Sequence, residues 1–373
     1  MKTSFKIGEI SGIPVRIHIT LLIIVGFLAW SIGSNLFQLA ELLGIDHTGI
    51  SPGFQSYLIG IIMAVGLFVS VFLHEVAHSL VARGMGVRVE EISLWIFGGV
   101  SNMEEIPREP DSEIKVSVVG PLTSFGIGII CYSIGVFSSG IASLSFIFVY
   151  LGVINVILGG FNLIPAFPMD GGRILRASLA KRESYVTATN RAASVGKMIA
   201  IMIGIFGIFY NFFLILIAFF IYIGASQESQ TIMVREVLQK VKVRDVMSEK
   251  VKTVSPDMNL RDFLDYVIRV QHTGFPVVED EEIIGIITME DAKKVAKERT
   301  SQVDVRDVME EEVECISPDD DMSEVWQKMS EREVGRFPVL TPEGELVGIV
   351  TRSDVMHSFN VLKEIEEYRG GEI

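Results

Sequence analysis

Residues 73 to 78 read "LHEVAH", and their surroundings make them decisive. His74, Glu75 and His78 sit in a stretch from Tyr57 to Val81 that is otherwise nearly all apolar. A run of that length crosses a bilayer as a helix of about 20 residues, so three ionisable side chains fall where each is expensive and by default functional. On an α-helix, positions i and i+4 project from one face about one turn apart, so both imidazoles can meet one cation. Two neutral nitrogens with an open position suit Zn2+, whose charge lowers the pKa of bound water to about 7. Glu75 is the adjacent carboxylate, placed to take the proton from that water and return it to a leaving amine. The plainer alternative is a helix whose histidines only hydrogen-bond to neighbouring helices.

Zinc in a hydrolase calls for a third protein ligand. Residues 162 to 172 read "NLIPAFPMDGG". Pro165 and Pro168 each remove a backbone donor, and Gly171-Gly172 permits backbone angles that other residues resist, so the helix is expected to open here. Unwound backbone at membrane depth is tolerated where it is buried in protein or lines a wet cavity. Asp170 lies in that segment and is the only acidic residue between Glu113 and Glu183. It is the expected third ligand. Asn162 offers an amide donor to the oxyanion of a tetrahedral intermediate; a hydrogen bond to freed backbone carbonyls is the alternative.

Further out, apolar runs occur near 19 to 40, 57 to 82, 116 to 140 and 142 to 165, and a last tract at about 195 to 225 fits two short spans turning near Tyr210 and Asn211. Six crossings are expected. No Lys or Arg occurs between Arg16 and Arg83, between Lys115 and Arg173, or between Lys197 and Arg235. The basic residues of the first part therefore fall in the N-terminal segment and two loops, which the positive-inside rule places in the cytoplasm. An even number of spans returns the C-terminus there. Residues 1 to 18 are mixed, and the first apolar run is too long for a cleavable signal. Residues 86 to 106, "GVRVEEISLWIFGGVSNMEEI", are rich in β-branched and aromatic residues around Gly98-Gly99 and predict a short hairpin or re-entrant segment.

Composition changes after Ser226. Apolar residues form 49% of the 373-residue chain, too few for one wholly embedded in lipid. Residues 1 to 234 carry 13 Lys+Arg against 14 Asp+Glu, and residues 235 to 373 carry 19 against 32, so most of the net charge of −14 lies in the second part. An acidic soluble part argues against nucleic acid as a partner. Cys131 and Cys315 form no CxxC, which leaves no cysteine zinc site and no disulfide framework. The second part also repeats itself. "VRDVM" at 243 to 247 recurs at 305 to 309, and "GFPVV" at 274 to 278 recurs as "RFPVL" at 336 to 340, both offset by 62. "GIITMEDA" at 285 to 292 recurs as "GIVTRSDV" at 348 to 355, offset by 63, with the added residue in the turn of Pro342 and Gly344.

HEVAH in one span, FNLIPAFPMDGGR in a later one, Gly120-Pro121-Leu122 and "GIPVRIHIT" at 12 to 20 together resemble the site-2 protease family of intramembrane metalloproteases, over about residues 5 to 228. The resemblance implies one zinc on His74, His78 and Asp170, a catalytic Glu75, and an Asn162 that helps bind the scissile peptide. It also implies that the substrate is a transmembrane helix of another membrane protein, cut in or near the bilayer. The repeat resembles a tandem pair of CBS domains, and with it the chain is similar to the archaeal and sporulation-type branch. In CBS domains, a Thr or Ser followed three residues later by Asp marks an adenosine nucleotide site, matched here by Thr288 with Asp291 and Thr351 with Asp354. Helix N-capping alone would also explain that spacing. Arg352 and Arg269 are the basic residues available to a phosphate, so either ATP or AMP is compatible. CBS pairs also associate face to face, which implies a homodimer.

The expected architecture is a membrane all-α polytopic domain of about six transmembrane helices with a short β-hairpin insertion, followed by a soluble α/β tandem CBS pair. Its boundaries are 1–226 for the membrane metalloprotease domain, 227–242 for a linker, 243–300 and 301–360 for the CBS domains, and 361–373 for a tail. The expected function is zinc-dependent intramembrane proteolysis in a multi-pass cell-membrane protein, with cytoplasmic CBS domains responding to adenine nucleotide. Two rivals are a CBS-gated transporter or channel, which would tolerate Glu75→Gln, and an inactive relative, which would have lost a ligand.

Overall fold

Ser11 and Gly12 take positive φ, 50° and 77°, the conformation of a two-residue hairpin turn whose twist suits antiparallel strands. Strands β1 (Ser4–Ile10) and β2 (Ile13–His18) flank it. β2 then pairs in parallel with β3 (Val89–Trp95), and β3 pairs antiparallel with β4 (Gly98–Met103), giving one four-stranded sheet in the order β1-β2-β3-β4. The expected hairpin is thus half of a larger sheet. The first strand pair was not anticipated, because Gly8, Gly12 and Pro14 interrupt its alternation. The computed structural model describes residues 4–96, 98–103, 107–295, 300, 302–332 and 334–368; positions 97 and 104–106 of the hairpin stretch, and 369–373 of the tail, lie outside them.

Helix α1 (Ile19–Ser34) follows β2 directly, with Nδ1 of His18 accepting from the Thr20 amide at its start. It continues after a 70° bend as α2 (Leu36–Leu42). Four long helices come next: α3 (Phe54–Gly84), α4 (Pro110–Phe137), α5 (Ala142–Asn162) and, after the short α6 (Asp170–Ala180), α7 (Tyr185–Tyr210). Pro110 opens α4 with Asp111 and Glu113 in its first turn, where proline's missing donor and negative charge are both favoured. Asn211 divides α7 from α8 (Phe212–Leu238), its Oδ1 accepting from the Phe213 amide at 2.9 Å.

Five of these helices are long and apolar enough to cross a membrane, and the bent α1–α2 pair makes up to six. The expected six is reached only with the bent pair counted as one span; the turn falls at Asn211 as expected, but α7 and α8 run to 26 and 27 residues rather than being short. Many large apolar side chains on them face outward, including Phe206, Phe209, Phe212 and Phe213. An outward apolar surface is what a lipid solvent selects.

Between α4 and α5 the backbones meet through glycine, the packing that helices in lipid favour. A Cβ at Gly152 would lie 2.7 Å from the Tyr132 backbone nitrogen, and one at Gly135 would lie 2.7 Å from that of Val149. Neither backbone has room to retreat within a helix.

The chain divides into two compact units, Met1–Ser229 and Gln230–Ile373, with α8 contributing residues to each. In the second unit each repeat carries a helix, an antiparallel strand pair and a further helix. The first has α9 (Leu260–Val270), β5 (Gly274–Glu279), β6 (Glu282–Thr288) and α10 (Met289–Lys293). The second has α11 (Met322–Glu331), β7 (Arg336–Leu340), β8 (Leu346–Thr351) and α12 (Arg352–Tyr368). The segments leading into the repeats are exchanged: Ser248 bridges Ile349 on β8, and Glu310 bridges Ile286 on β6. Val243 accordingly packs in the core with Phe337 and Val350, and Val305 in the core with Phe263 and Phe275. This interlacing makes the two repeats one folding unit.

The α4–α5 contact yields a direct prediction. Gly152→Ala should destabilise the protein by about 1–3 kcal/mol, read as a lower thermal unfolding midpoint in detergent. Gly126→Ala, which has open space at the Cβ position, should leave that midpoint within a degree or raise it; equal losses in the two variants would contradict the packing account.

Candidate metal centre

His74 and His78 lie one turn apart on α3, both buried at 4% and 7% exposure, with ring centroids 4.8 Å apart. Helix α4 holds each ring from behind. Nδ1 of His78 is 2.7 Å from the Val116 carbonyl oxygen. A carbonyl only accepts, so this nitrogen carries the proton and the neutral ring presents a lone pair at Nε2. Nδ1 of His74 meets the Ser124 hydroxyl at 2.9 Å. Partners of this kind fix ring orientation in metal-ligating histidines.

Both Nε2 atoms lie 3.2 Å from Oδ2 of Asp170. The ligand atoms of the three residues lie within 4.8 Å of one another. For His78 the contact sets a lone pair against a carboxylate oxygen, two acceptors that attract only through a cation or a shared proton. Gly120 faces the same point: a Cβ there would lie 2.2 Å from His78 Nε2 and 2.6 Å from His74 Nε2. The space in front of the ligand atoms is therefore kept clear of side chains. Two imidazoles, one carboxylate and a cleared approach fit zinc.

Asp170 reaches this position from a loop. Helix α5 ends at Asn162 and α6 begins at Asp170, so the backbone opens between them where the prolines predict it. The glycines serve a different need from the one expected. Neither Gly171 nor Gly172 has positive φ. A Cβ at Gly171 would instead lie 2.4 Å from the Leu163 carbonyl oxygen, and one at Gly172 would lie 2.6 Å from the Phe167 nitrogen. They let the loop fold back onto the first turn of α6, directly behind Asp170.

One buried arginine secures that helix. Arg176 of α6 donates from Nε to Glu113 Oε1 at 2.8 Å and from Nη2 to the same oxygen at 2.6 Å, and from Nη1 to Glu228 of α8. Its guanidinium also lies over the rings of Phe167 and Tyr185, at 5.0 and 4.9 Å. Glu113 stands one turn before Val116, the acceptor for His78. The helix bearing Asp170 is thus tied to the helix that orients both imidazoles.

Glu75 turns toward the sheet. Ser101 of β4 donates its hydroxyl to Oε2 at 2.9 Å, and Ser79 donates to Ser101 at 3.0 Å. Gly99 lies so close that a Cβ there would meet Glu75 Cγ at 2.4 Å. One face of β4, the end strand of the sheet among the described residues, therefore packs beside this carboxylate. The Asn162 side chain, at the end of α5, donates from Nδ2 to the Leu158 carbonyl at 3.1 Å.

In the second unit, Thr288 and Asp291 form a reciprocal cap at the start of α10. Oδ2 of Asp291 accepts from the Thr288 amide at 3.1 Å and hydroxyl at 2.6 Å, and the Asp291 amide donates back. Thr351 and Asp354 repeat it on α12. Burial pushes the Asp291 carboxyl up, but hydrogen bonds from Lys294 and Thr288 outweigh this and hold it below its ordinary value. Thr288 and Asp291 also line a cleft of about 820 Å³ between the repeats. Arg352 is engaged by the Val334 and Met329 carbonyls.

Comparison with known proteins identifies both parts of the chain. A family model described as peptidase family M50 matches residues 62–145 and 140–203, and one described as the CBS domain matches 243–298 and 305–360. A zinc metalloprotease of Methanocaldococcus jannaschii is 37% identical over 371 residues, covering 99% of this chain and all of that one. The chain belongs to peptidase family M50. A provisionally named zinc metalloprotease of Mycobacterium tuberculosis is 28% identical across 97% of this chain and 94% of its own. The solved site-2 protease of M. jannaschii is 38% identical and covers 61% of this chain and 95% of that one, with a TM-score of 0.43. This M50 protein is a zinc metalloprotease with a membrane-embedded helical domain and a CBS pair.

Several residues of the M50 site carry no signal of their own in the sequence. Ser124 and Val116 are ordinary members of an apolar helix, and Ser101 lies in a strand whose pairing had to be seen. Glu113 and Arg176 are 63 residues apart. Because this pair is buried, Glu113→Ala should cost about 3–5 kcal/mol, while Glu228→Ala, at a carboxylate 34% exposed, should cost less. Unfolding midpoints in detergent check this; a larger loss for Glu228→Ala would contradict it.

Proposed function

We propose that this protease is an intramembrane endopeptidase that hydrolyses a peptide bond in the transmembrane segment of another membrane protein. His74, His78 and Asp170 would hold one Zn2+, and Glu75 is the general base. The observation that carries this reading is the meeting of three ligand atoms within 4.8 Å in a buried place where α4 occupies both Nδ1 atoms. When bound there, zinc supplies Lewis acidity that makes water acidic at neutral pH and polarises a carbonyl. The protein's own groups do the remainder. Val116, Ser124 and Arg176 keep the imidazoles and the carboxylate in place. Glu75, oriented by Ser101 at Oε2, takes a proton at Oε1 and returns it to the leaving amine. Asn162 stabilises the oxyanion once its amide turns from Leu158 toward the substrate.

The edge of β4, the strand whose face packs on Glu75, suits an unwound substrate segment, which would add to the sheet as a strand and gain main-chain hydrogen bonds. The N-terminus and the CBS pair are placed in the cytoplasm by the distribution of Lys and Arg. Thr288 with Asp291, and Thr351 with Asp354, are the proposed sites for an adenosine ligand, ATP or AMP, and the CBS pair is the proposed surface for a homodimer. Nucleotide regulates cleavage only to the extent that it binds the open and closed forms of the protease unequally.

Purified His78→Ala and Asp170→Ala proteins should lose zinc by elemental analysis, while Glu75→Gln retains it. With a reporter membrane helix, Glu75→Gln should cut at least about 100-fold more slowly than the parent. Full zinc content in both ligand variants would refute the ligand set, and undiminished cleavage by Glu75→Gln would refute the base.

A further inference from the structure

The end of α3 meets the β1–β2 turn around a cavity of about 260 Å³, and no acidic residue lines it. Arg83, in the last turn of α3, and Arg88, just before β3, both stand in its wall. Gly12 and Gly86 complete that wall at positive φ, 77° and 86°, a conformation that resists other residues, so both turns supply backbone without a side chain. Arg83 donates from Nη1 to the Ser11 carbonyl, a neutral partner. Both guanidinium side chains are exposed, and neither is in an ion pair among the described residues. The cations carried by the sheet itself, Lys6 and Arg16, are by contrast paired with Glu9 and Glu91. Two guanidinium forks with unused N–H groups, facing one space free of carboxylates, suit a phosphate.

The place of the cavity decides which phosphate. Val65, Val69, Leu73 and Leu80 are exposed on α3, at spacings of four, four and seven residues that put them on one helix face. Arg83 follows Leu80 by three residues and continues that face. Because α3 is long and apolar enough to cross a membrane, this face is a lipid-facing column that ends in a cation. On the hairpin whose turn lines the cavity, Phe5 and Ile7 of β1 are exposed as well. An apolar column leading to two guanidinium groups without carboxylates reproduces the order of acyl chain and headgroup in one lipid molecule. We propose that this cavity binds the headgroup phosphate of an anionic phospholipid, from the leaflet at the Arg83 end of α3, through Arg83 and Arg88. A freely diffusing phosphate ion has the same charge but gains nothing from the apolar column. The bound headgroup bridges the β1–β2 turn and the end of the helix that carries His74 and His78, and so braces the sheet against α3.

Native mass spectrometry of the full chain in non-ionic detergent tests this, by titration with dioleoylphosphatidylglycerol, dioleoylphosphatidylcholine or inorganic phosphate. The first phosphatidylglycerol should bind at least about tenfold more tightly than phosphatidylcholine, since each arginine beside an anionic headgroup contributes roughly fivefold. Arg83→Gln combined with Arg88→Gln should bring phosphatidylglycerol down to the level of phosphatidylcholine while leaving phosphatidylcholine within about twofold. Arg88→Gln alone keeps the Arg83 bond to Ser11 and should still lose roughly fivefold, which preserves the test if the double variant does not fold. Arg182→Gln, which removes an exposed arginine outside the cavity, should change nothing. An undiminished preference in Arg88→Gln would overturn the site, and so would an equal loss in Arg182→Gln, because net charge alone would then draw the lipid. Displacement of phosphatidylglycerol by millimolar inorganic phosphate would overturn the lipid as occupant in favour of a free anion.

Discussion

Two imidazole nitrogens and a carboxylate oxygen approach one another inside helices that are otherwise apolar, and the rest of the first unit is arranged around that meeting. Unpaired, these groups would be costly in a medium without water. The geometry supplies their counterweights one at a time. Val116 and Ser124 occupy the far nitrogens, both Nε2 atoms converge on Asp170, and Gly120 withholds a side chain from the space they share. A divalent cation at that point would turn repulsion between these groups into coordination.

The demand for convergence reaches well beyond the ligands. Asp170 comes from a different part of the chain from the histidines, so α6 has to be fixed against α4 independently of the metal. The Arg176 pair with Glu113 does this in a buried setting, where breaking an ion pair is far more costly than at the surface. Glu228 brings α8 into the same network, and α8 continues to Leu238, whose side chain is fully buried in the core of the second unit. One continuous helix thus has residues in the Arg176 network and in the core of the CBS pair.

Much of this was legible in the sequence, for reasons that can be named. His74 and His78 are read from helical spacing, Asp170 from a proline-broken span with one acidic residue, and the repeat from identical pentapeptides. Residues that act through distant partners were not legible. Arg176 shows no local pattern linking it to Glu113 or Glu228, which lie 63 and 52 residues away. The β1–β2 pair is obscured by Gly8, Gly12 and Pro14, and its place in the sheet depends on a parallel contact with β3 across the whole of α1, α2 and α3. Gly171 and Gly172 were singled out for the wrong physical reason: their backbone is ordinary, and close approach of the loop excludes a side chain.

The central claim is that His74, His78 and Asp170 bind a single zinc ion, and anomalous diffraction at the zinc edge from crystals of the full chain tests it most directly. One peak is expected in the first unit, within about 2.0–2.2 Å of both Nε2 atoms and of an Asp170 carboxylate oxygen. A peak coordinated by other residues, or zinc-loaded crystals in which Asp170 is turned away from the metal, would contradict the account.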